Sequence, residues 1–489
     1  MNSIILVIAI LYLLITMGIG IWAVKRTKSS GDFFIAGRNI GMLTMAIAAF
    51  ASIQSGFGVV GGVSQTFSNG LGFVVGVMFA APLGFALTWF LVGRKIWRLG
   101  GLGEIYTLGD LVAKRYNSES VRFWLSVAIF LGVIGYLGTQ VQAMGVVMQA
   151  IFGGPLLLGS FIGLAIMAIY SAIGGMVAGV YTDLFQGILM VLAAVVVFFS
   201  ALRAGGGVLE INQTLHAENP DLTSPFGMMP LITIFCWFVL FSLGAAGQPH
   251  FLTKFLMVKN EKELKWGAFT SSFAYMLSTL IAIGIGLAAL SLSIKGEFPK
   301  ISSPDQTLTT FLLEYASPVV AGLVMAGLMA AIMSTGSSFV NLGAACIVRD
   351  IPKALGIQVK NELFWSRMVT LLLFVLSFLF AVYMDTLVAL LGVFGWGTFA
   401  TTIFPAVVLG LLWEGATAAG AVSSIVVGLV LSFVLEVGGK YGLKVLPPGV
   451  INGAFTFAVS IAVFIAVSML TQQRQAELDH EVRKIVNEA

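Results

Sequence analysis

Charge is what this chain has least of. Only 10% of its 489 residues are Asp, Glu, Lys or Arg, where a soluble globule carries about a quarter. That shortage excludes an ordinary soluble domain. Histidine is almost as scarce: His216, His250 and His480 fall in a loop, at a helix end and in the tail. No metal or catalytic cluster can be read from them, which argues against an enzyme. The two cysteines, Cys236 and Cys346, both lie in apolar runs and offer no disulfide framework. Period-2 alternation is absent, which excludes a membrane β-barrel. The first apolar run has neither a basic segment before it nor a small-residue cleavage site, so a retained helix is expected there.

What remains is apolar: 58% of residues are hydrophobic and the mean hydropathy is +1.00. Lipid is the natural solvent of such a chain, and helices that satisfy their own hydrogen bonds are its expected structure. The fold class expected is therefore an all-α polytopic membrane protein. With about 20 residues per crossing, about thirteen spans are predicted. They lie near 3–24, 42–67, 73–93, 121–151, 158–177, 181–203, 228–250, 267–294, 318–347, 363–384, 386–410, 416–436 and 451–471. Gly174-Gly175 and Gly179 predict a tight reversal between the fifth and sixth. The 57 glycines suit close helix packing and helix breaks.

Lys and Arg set the orientation. With the N-terminus outside, 21 of the 26 fall on inner segments, Lys254, Arg349 and Arg367 among them. Arg203, Lys295, Lys300, Lys440 and Lys444 are left outside. The tail from Gln472 is charged, and a short cytoplasmic helix is expected in it.

Three stretches stand out against this apolar background. In the ninth span Ser334, Ser337, Ser338 and Asn341 recur at i, i+3, i+4 and i+7, on one helical face. Such a stripe either lets neighbouring helices approach closely or offers neutral oxygens to a small hard cation. The second and seventh spans carry breaks, at Ala51-Ser52-Ile53-Gln54-Ser55-Gly56 and at Gly244-Ala245-Ala246-Gly247-Gln248-Pro249-His250. Unwound backbone at membrane depth is tolerated beside a cavity or ligand. Five spans separate the two starts, as two inverted halves over 42–203 and 228–410 would require, although no self-similarity of sequence is visible. Asp183, in Tyr181-Thr182-Asp183-Leu184-Phe185-Gln186, is either part of an ion path or an interfacial cap for the helix start.

These segments resemble the sodium/solute symporter family, whose members include bacterial proline, sugar, sialic acid and pantothenate transporters. The likeness rests on Gly37-Arg38-Asn39, on Ala51 to Gly56, and on Gly174-Gly175 with Thr182-Asp183 and Gln186. Gly247-Gln248-Pro249-His250 and Ala331-Ile332-Met333-Ser334-Thr335 complete it. The Gly-Gln-Pro-His stretch looks most like the proline branch. The resemblance implies the inverted five-plus-five fold of the bacterial leucine transporter, with one span added in front and two behind. On that plan residues 1–41 hold the extra N-terminal helix and a basic inner loop, 42–203 the first repeat and 204–227 an outer loop. Residues 228–410 hold the second repeat, 411–471 two C-terminal spans and 472–489 the cytoplasmic tail.

The resemblance further implies a first sodium site from the carbonyls of Ala51, Gln54 and Ala331 with the hydroxyls of Ser334 and Thr335. A second sodium, as in sialic acid transporters, would take Asp183, Ser334, Ser337 and Ser338. The chain departs from the proline transporters at Ile53, where they carry Asp, and at Phe57 and Phe241, where they carry Trp; Tyr136 matches them. A solute pocket walled by Phe57, Tyr136 and Phe241 is expected, with Gln54, Ser55, Gly56 and Gln140 supplying polar contacts. The function expected is sodium-coupled import of an amino acid or small carboxylate across a bacterial inner membrane. No nucleic acid and no obligate protein partner is expected. Proton coupling at Asp183, or a channel or sensor on the same scaffold, are the alternatives.

Overall fold

The computed structural model describes residues 2–384, 388–443, 445–474 and 478–488. Lys444 and the expected start of the eleventh span at 386 lie outside them. Among the described residues there is no strand; an isolated bridge joins Ile40 and Val258. Ten helices among the described residues are long and apolar enough to cross a membrane, or eleven when the bent pair Met42–Ile53 and Phe57–Asn69 is taken as one. This is an all-helical, multi-pass architecture.

Its centre is the helix Pro318–Ala345, hereafter the serine helix. In the apolar stretch of the Pro318–Ala354 span 83% of residues are buried, against 28% in the N-terminal helix Ser3–Val24. The N-terminal helix instead exposes Leu11, Leu14 and Ile21, as a lipid-facing helix does.

The expected reversal near Gly174-Gly175 takes the form of one long helical run, Leu156–Ala204, broken at Gly175. There φ is 56° and ψ −146°, a conformation open essentially to glycine alone. A Cβ would also meet the Phe33 ring at 2.5 Å. The limb before the break packs through Phe161 on Phe374 and Phe378. The limb after it, which carries Asp183 and is called here the aspartate helix, brings Gly187 against Ile47 and Phe198 against Gly284.

Both expected breaks are present. The first follows Ile53: Gln54 turns extended (φ −71°, ψ 114°), and helix resumes through Phe57–Gly61 and Gly62–Asn69, bent by 60°. The second separates Leu231–Ser242 from Pro249–Phe255 by a tight turn at Gly244–Gly247. Gln248 is extended there (φ −80°, ψ 112°) because it precedes Pro249, which then opens the next half-helix.

The expected outer loop is more regular than a loop, and so is the stretch between the eighth and ninth expected spans. Residues 204–227 contain the helix Val208–Glu218, and 295–317 contain Thr307–Tyr315. The tail forms the helix His480–Asn487, which buries Val482, Ile485 and Val486. Segments expected on the inner side join one another: Arg98 bonds Glu261, Lys114 bonds Asp479, and Arg349 bonds Asp110. Lys254 is the exception. It was assigned to an inner loop and instead lies fully buried in the half-helix Pro249–Phe255. The apolar run continues past it as Phe255-Leu256-Met257-Val258, which holds it inside.

Candidate functional site

A helix that ends leaves its last carbonyls without intrahelical partners. At the first break those carbonyls find the serine helix. Ser334 donates its hydroxyl to the Ala51 carbonyl at 2.6 Å and lies 3.2 Å from the Ala331 carbonyl. Thr335 donates to the carbonyls of Ser52 at 3.0 Å and Gln54 at 2.9 Å. The five oxygens that the family resemblance implies, on Ala51, Gln54, Ala331, Ser334 and Thr335, share one buried locus. The Ser52 carbonyl joins them, an addition the sequence did not suggest. All are neutral, and a hydroxyl can rotate its proton away to present a lone pair, so the locus suits a monovalent hard cation.

Asp183 is placed differently. Its Oδ2 accepts from Lys254 Nζ at 2.9 Å, and both side chains are 0% exposed. Its Oδ1 has no hydrogen-bond partner, and neither has the Ser338 hydroxyl nor the Asn341 amide. Ser337 donates to the Ser334 carbonyl at 2.9 Å. Along the serine helix Ser334 and Thr335 engage the first break, while Ser338 and Asn341 stay unbonded.

The expected pocket residues also meet. Phe57 and Phe241 stack at 5.3 Å with planes 5° apart, one from each broken helix. Tyr136 and Ser55 share a hydroxyl–hydroxyl bond of 3.0 Å, and the Gly56 N–H donates to Gln140 Oε1 at 3.0 Å. Gln140 Nε2 and Gln54 Oε1 remain without partners. A Cβ on Gly395 would stand 2.5 Å from the Tyr136 ring and 2.9 Å from its Cα, so glycine is what lets this tyrosine sit here.

Two neighbours, Trp396 and Phe339, are not marked out by the sequence. Trp396 packs on Phe241 at 4.9 Å and donates its indole N–H to the Leu240 carbonyl at 3.1 Å. The Trp396 carbonyl in turn accepts from Gln248 at 3.3 Å. Phe339 lies between Tyr136 at 4.8 Å and the His250 ring at 4.4 Å. His250, expected at the end of a span, instead lies at the start of the half-helix Pro249–Phe255, wholly buried and with neither ring nitrogen bonded. Gly395-Trp396-Gly397, a tryptophan between glycines inside a span, is the one signal that could have marked Trp396.

Known proteins are similar to this chain over nearly its whole length. A sodium/pantothenate symporter of Haemophilus influenzae is 28% identical over 485 residues, covering 94% of this chain and 96% of its own. A sodium/proline symporter of Staphylococcus aureus is 26% identical over 497 residues, covering 97% of this chain and 94% of its own. Among solved structures, a Na+-coupled sialic acid symporter in a substrate-bound outward-open state aligns with TM-score 0.81 at 18% identity. That alignment covers 97% of this chain and 98% of the symporter. A nucleobase-cation-symport-1 family transporter in a closed conformation aligns with TM-score 0.56 at 14% identity, over 94% and 99% of the two chains. The likeness of the structures is one of fold; membership comes from sequence. Matched by the model of the Sodium:solute symporter family from residue 33 to residue 428, the chain belongs to that family.

Proposed function

We propose that the protein is a sodium-coupled symporter of a bacterial inner membrane, importing a small amphipathic solute, an amino acid or a small carboxylate, by alternating access. The observation that carries this reading is the junction of the first break with the serine helix. There two hydroxyls and the freed carbonyls converge with no ionic group among them. One Na+ would exchange the Ser334 and Thr335 hydrogen bonds for direct ligation by the same oxygens. Moving that charge inward is worth about 2.3 kcal/mol per 100 mV of membrane potential.

The solute would sit between the broken helices, parting the Phe57–Phe241 stack. Tyr136 would close one wall, and the unpartnered atoms of Gln54 and Gln140 would supply polar contacts. The half-helix beginning near Gly56 adds N–H groups at its positive end, which favours a carboxylate. Residues 42–203 and 228–410 are the two five-span units that move against each other, flanked by one span before and two after. Thirteen crossings follow if the Leu156–Ala204 run crosses twice and each broken helix once. The N-terminus faces outward and the tail inward. Proton coupling is disfavoured because Asp183 is already engaged by Lys254.

A thermal-shift screen of amino acids and small carboxylates in Na+ and in K+ tests this reading, since ligands of the folded state raise its melting temperature. The expected result is a solute that stabilises in Na+ and not in K+. A protein indifferent to Na+ across such a screen overturns it.

A further inference from the structure

The Asp183–Lys254 pair is a fully buried ion pair at membrane depth, 2.9 Å long and 0% exposed on both sides. A carboxylate so placed needs a counter-charge, because burying an unpaired ion is far costlier than burying a neutral pair. Lys254 supplies that charge from the half-helix that follows the second break. Everything else around the carboxylate is neutral. Asn341 and Ser337 come within 4.0 Å of where a Cβ on Gly179 would stand, one helical turn before Asp183, and Ser337 bonds a backbone carbonyl. Tyr170 donates to the Met333 carbonyl at 3.2 Å, and Tyr12 accepts from Gln186 at 2.7 Å. A sodium ion drawn to Asp183 would therefore face Lys254 across one carboxylate, two cations for one anion where no water screens them. Without Lys254, the same carboxylate and its neighbouring hydroxyls would need a cation.

We propose that Lys254 is a resident counter-ion that takes the place of a second sodium at Asp183, so that each solute travels with one Na+. This rests on the sodium-symport reading and adds its stoichiometry. The four-carbon lysine stem carries a compact ammonium, a charge of the same sign and unit size as the ion it replaces. The serine helix then serves one ion only, through Ser334 and Thr335.

The test counts radioactive sodium bound to the purified full-length protein by equilibrium dialysis, with K+ holding ionic strength constant. The wild type binds one Na+ per chain with a Hill coefficient near one. Lys254→Gln frees Asp183 and is expected to bind two, with the Hill coefficient rising towards two. Lys254→Arg keeps the charge and binds one. Should Lys254→Gln fail to fold, the neutral pair Asp183→Asn with Lys254→Gln decides, and is expected to bind one ion as the wild type does. The inference is overturned by a wild type that binds two, by a double variant that has lost one ion, or by a folded Lys254→Gln that still binds one. A wild type that binds no sodium overturns the symport reading instead.

Discussion

Ser334 has two carbonyl neighbours at once, Ala51 across the helix interface and Ala331 on its own helix. Removing its hydroxyl leaves the Ala51 carbonyl buried without a partner and takes one of five oxygens from the proposed ion. Ser334→Ala is expected to raise the half-saturating Na+ concentration at least tenfold, equivalent to about 1.4 kcal/mol. Sodium titration of the melting temperature reads this directly; an unchanged midpoint sinks the assignment. Gly395 acts on the solute rather than the ion. Its substitution by Ala drives a methyl group into Tyr136, and the ring must leave its 3.0 Å bond to Ser55. Solute affinity should then fall about tenfold with Na+ affinity nearly unchanged, since Tyr136 touches none of the five oxygens. Equal losses of both would place Tyr136 in the wrong site.

At the scale of elements, two kinds of break serve different ends. Those at Gln54 and Gln248 free backbone groups in the interior: Thr335 of the serine helix donates to the Gln54 carbonyl, and at the second break the Gln248 side chain itself donates to the Gly244 and Trp396 carbonyls. The one at Gly175 only turns the chain, and it does so in a conformation that other residues reach at a cost of about 1–3 kcal/mol. Gly175→Ala adds a Cβ clash with Phe33 to that cost. The expected result is a lower yield of folded protein and a melting temperature several degrees below wild type. A variant as stable as the wild type would mean that the turn can be made another way.

Across the whole molecule, one cluster ties distant segments together at the face that carries the tail. Asp110, on the short helix Leu108–Tyr116, binds Arg349 at 3.0 Å, Lys353 at 2.9 Å and also Arg122. Burial pushes its carboxyl upward, yet the Arg349 and Lys353 charges outweigh this and hold it at about 2. The folded value lies below the ordinary aspartate range of about 3.9. Its stabilisation is therefore complete above that range and is lost as pH falls through about 2. Asp110→Asn strands two nearly buried guanidinium groups and should cost roughly 3 kcal/mol at pH 7. The gap in melting temperature from wild type should narrow as pH is lowered towards 3. Equal melting temperatures at pH 7 would show the cluster to be dispensable. The tail helix meets the same face: Lys95 donates to the carbonyls of Val486 at 2.7 Å and Glu488 at 2.8 Å.

The sequence by itself determined the solvent, the helical architecture and both breaks. The five oxygens and the aromatic trio follow only from the family resemblance; the solvent, the helices and the breaks are written in local residue types: continuous apolar runs, glycine and serine at mid-span, a proline after Gln248. The reversal was legible for the same reason, since Gly175 is needed only where the backbone leaves the helix. What the tertiary structure alone decided was partnership across the chain. Lys254 is 71 residues from Asp183, and nothing local distinguishes a lysine at a membrane surface from one held inside by the apolar residues after it. Trp396 likewise reaches Leu240 and Gln248 only once the helices pack, 156 and 148 residues apart in sequence. A charge's cost depends on what surrounds it in space, and spacing along the chain does not record that.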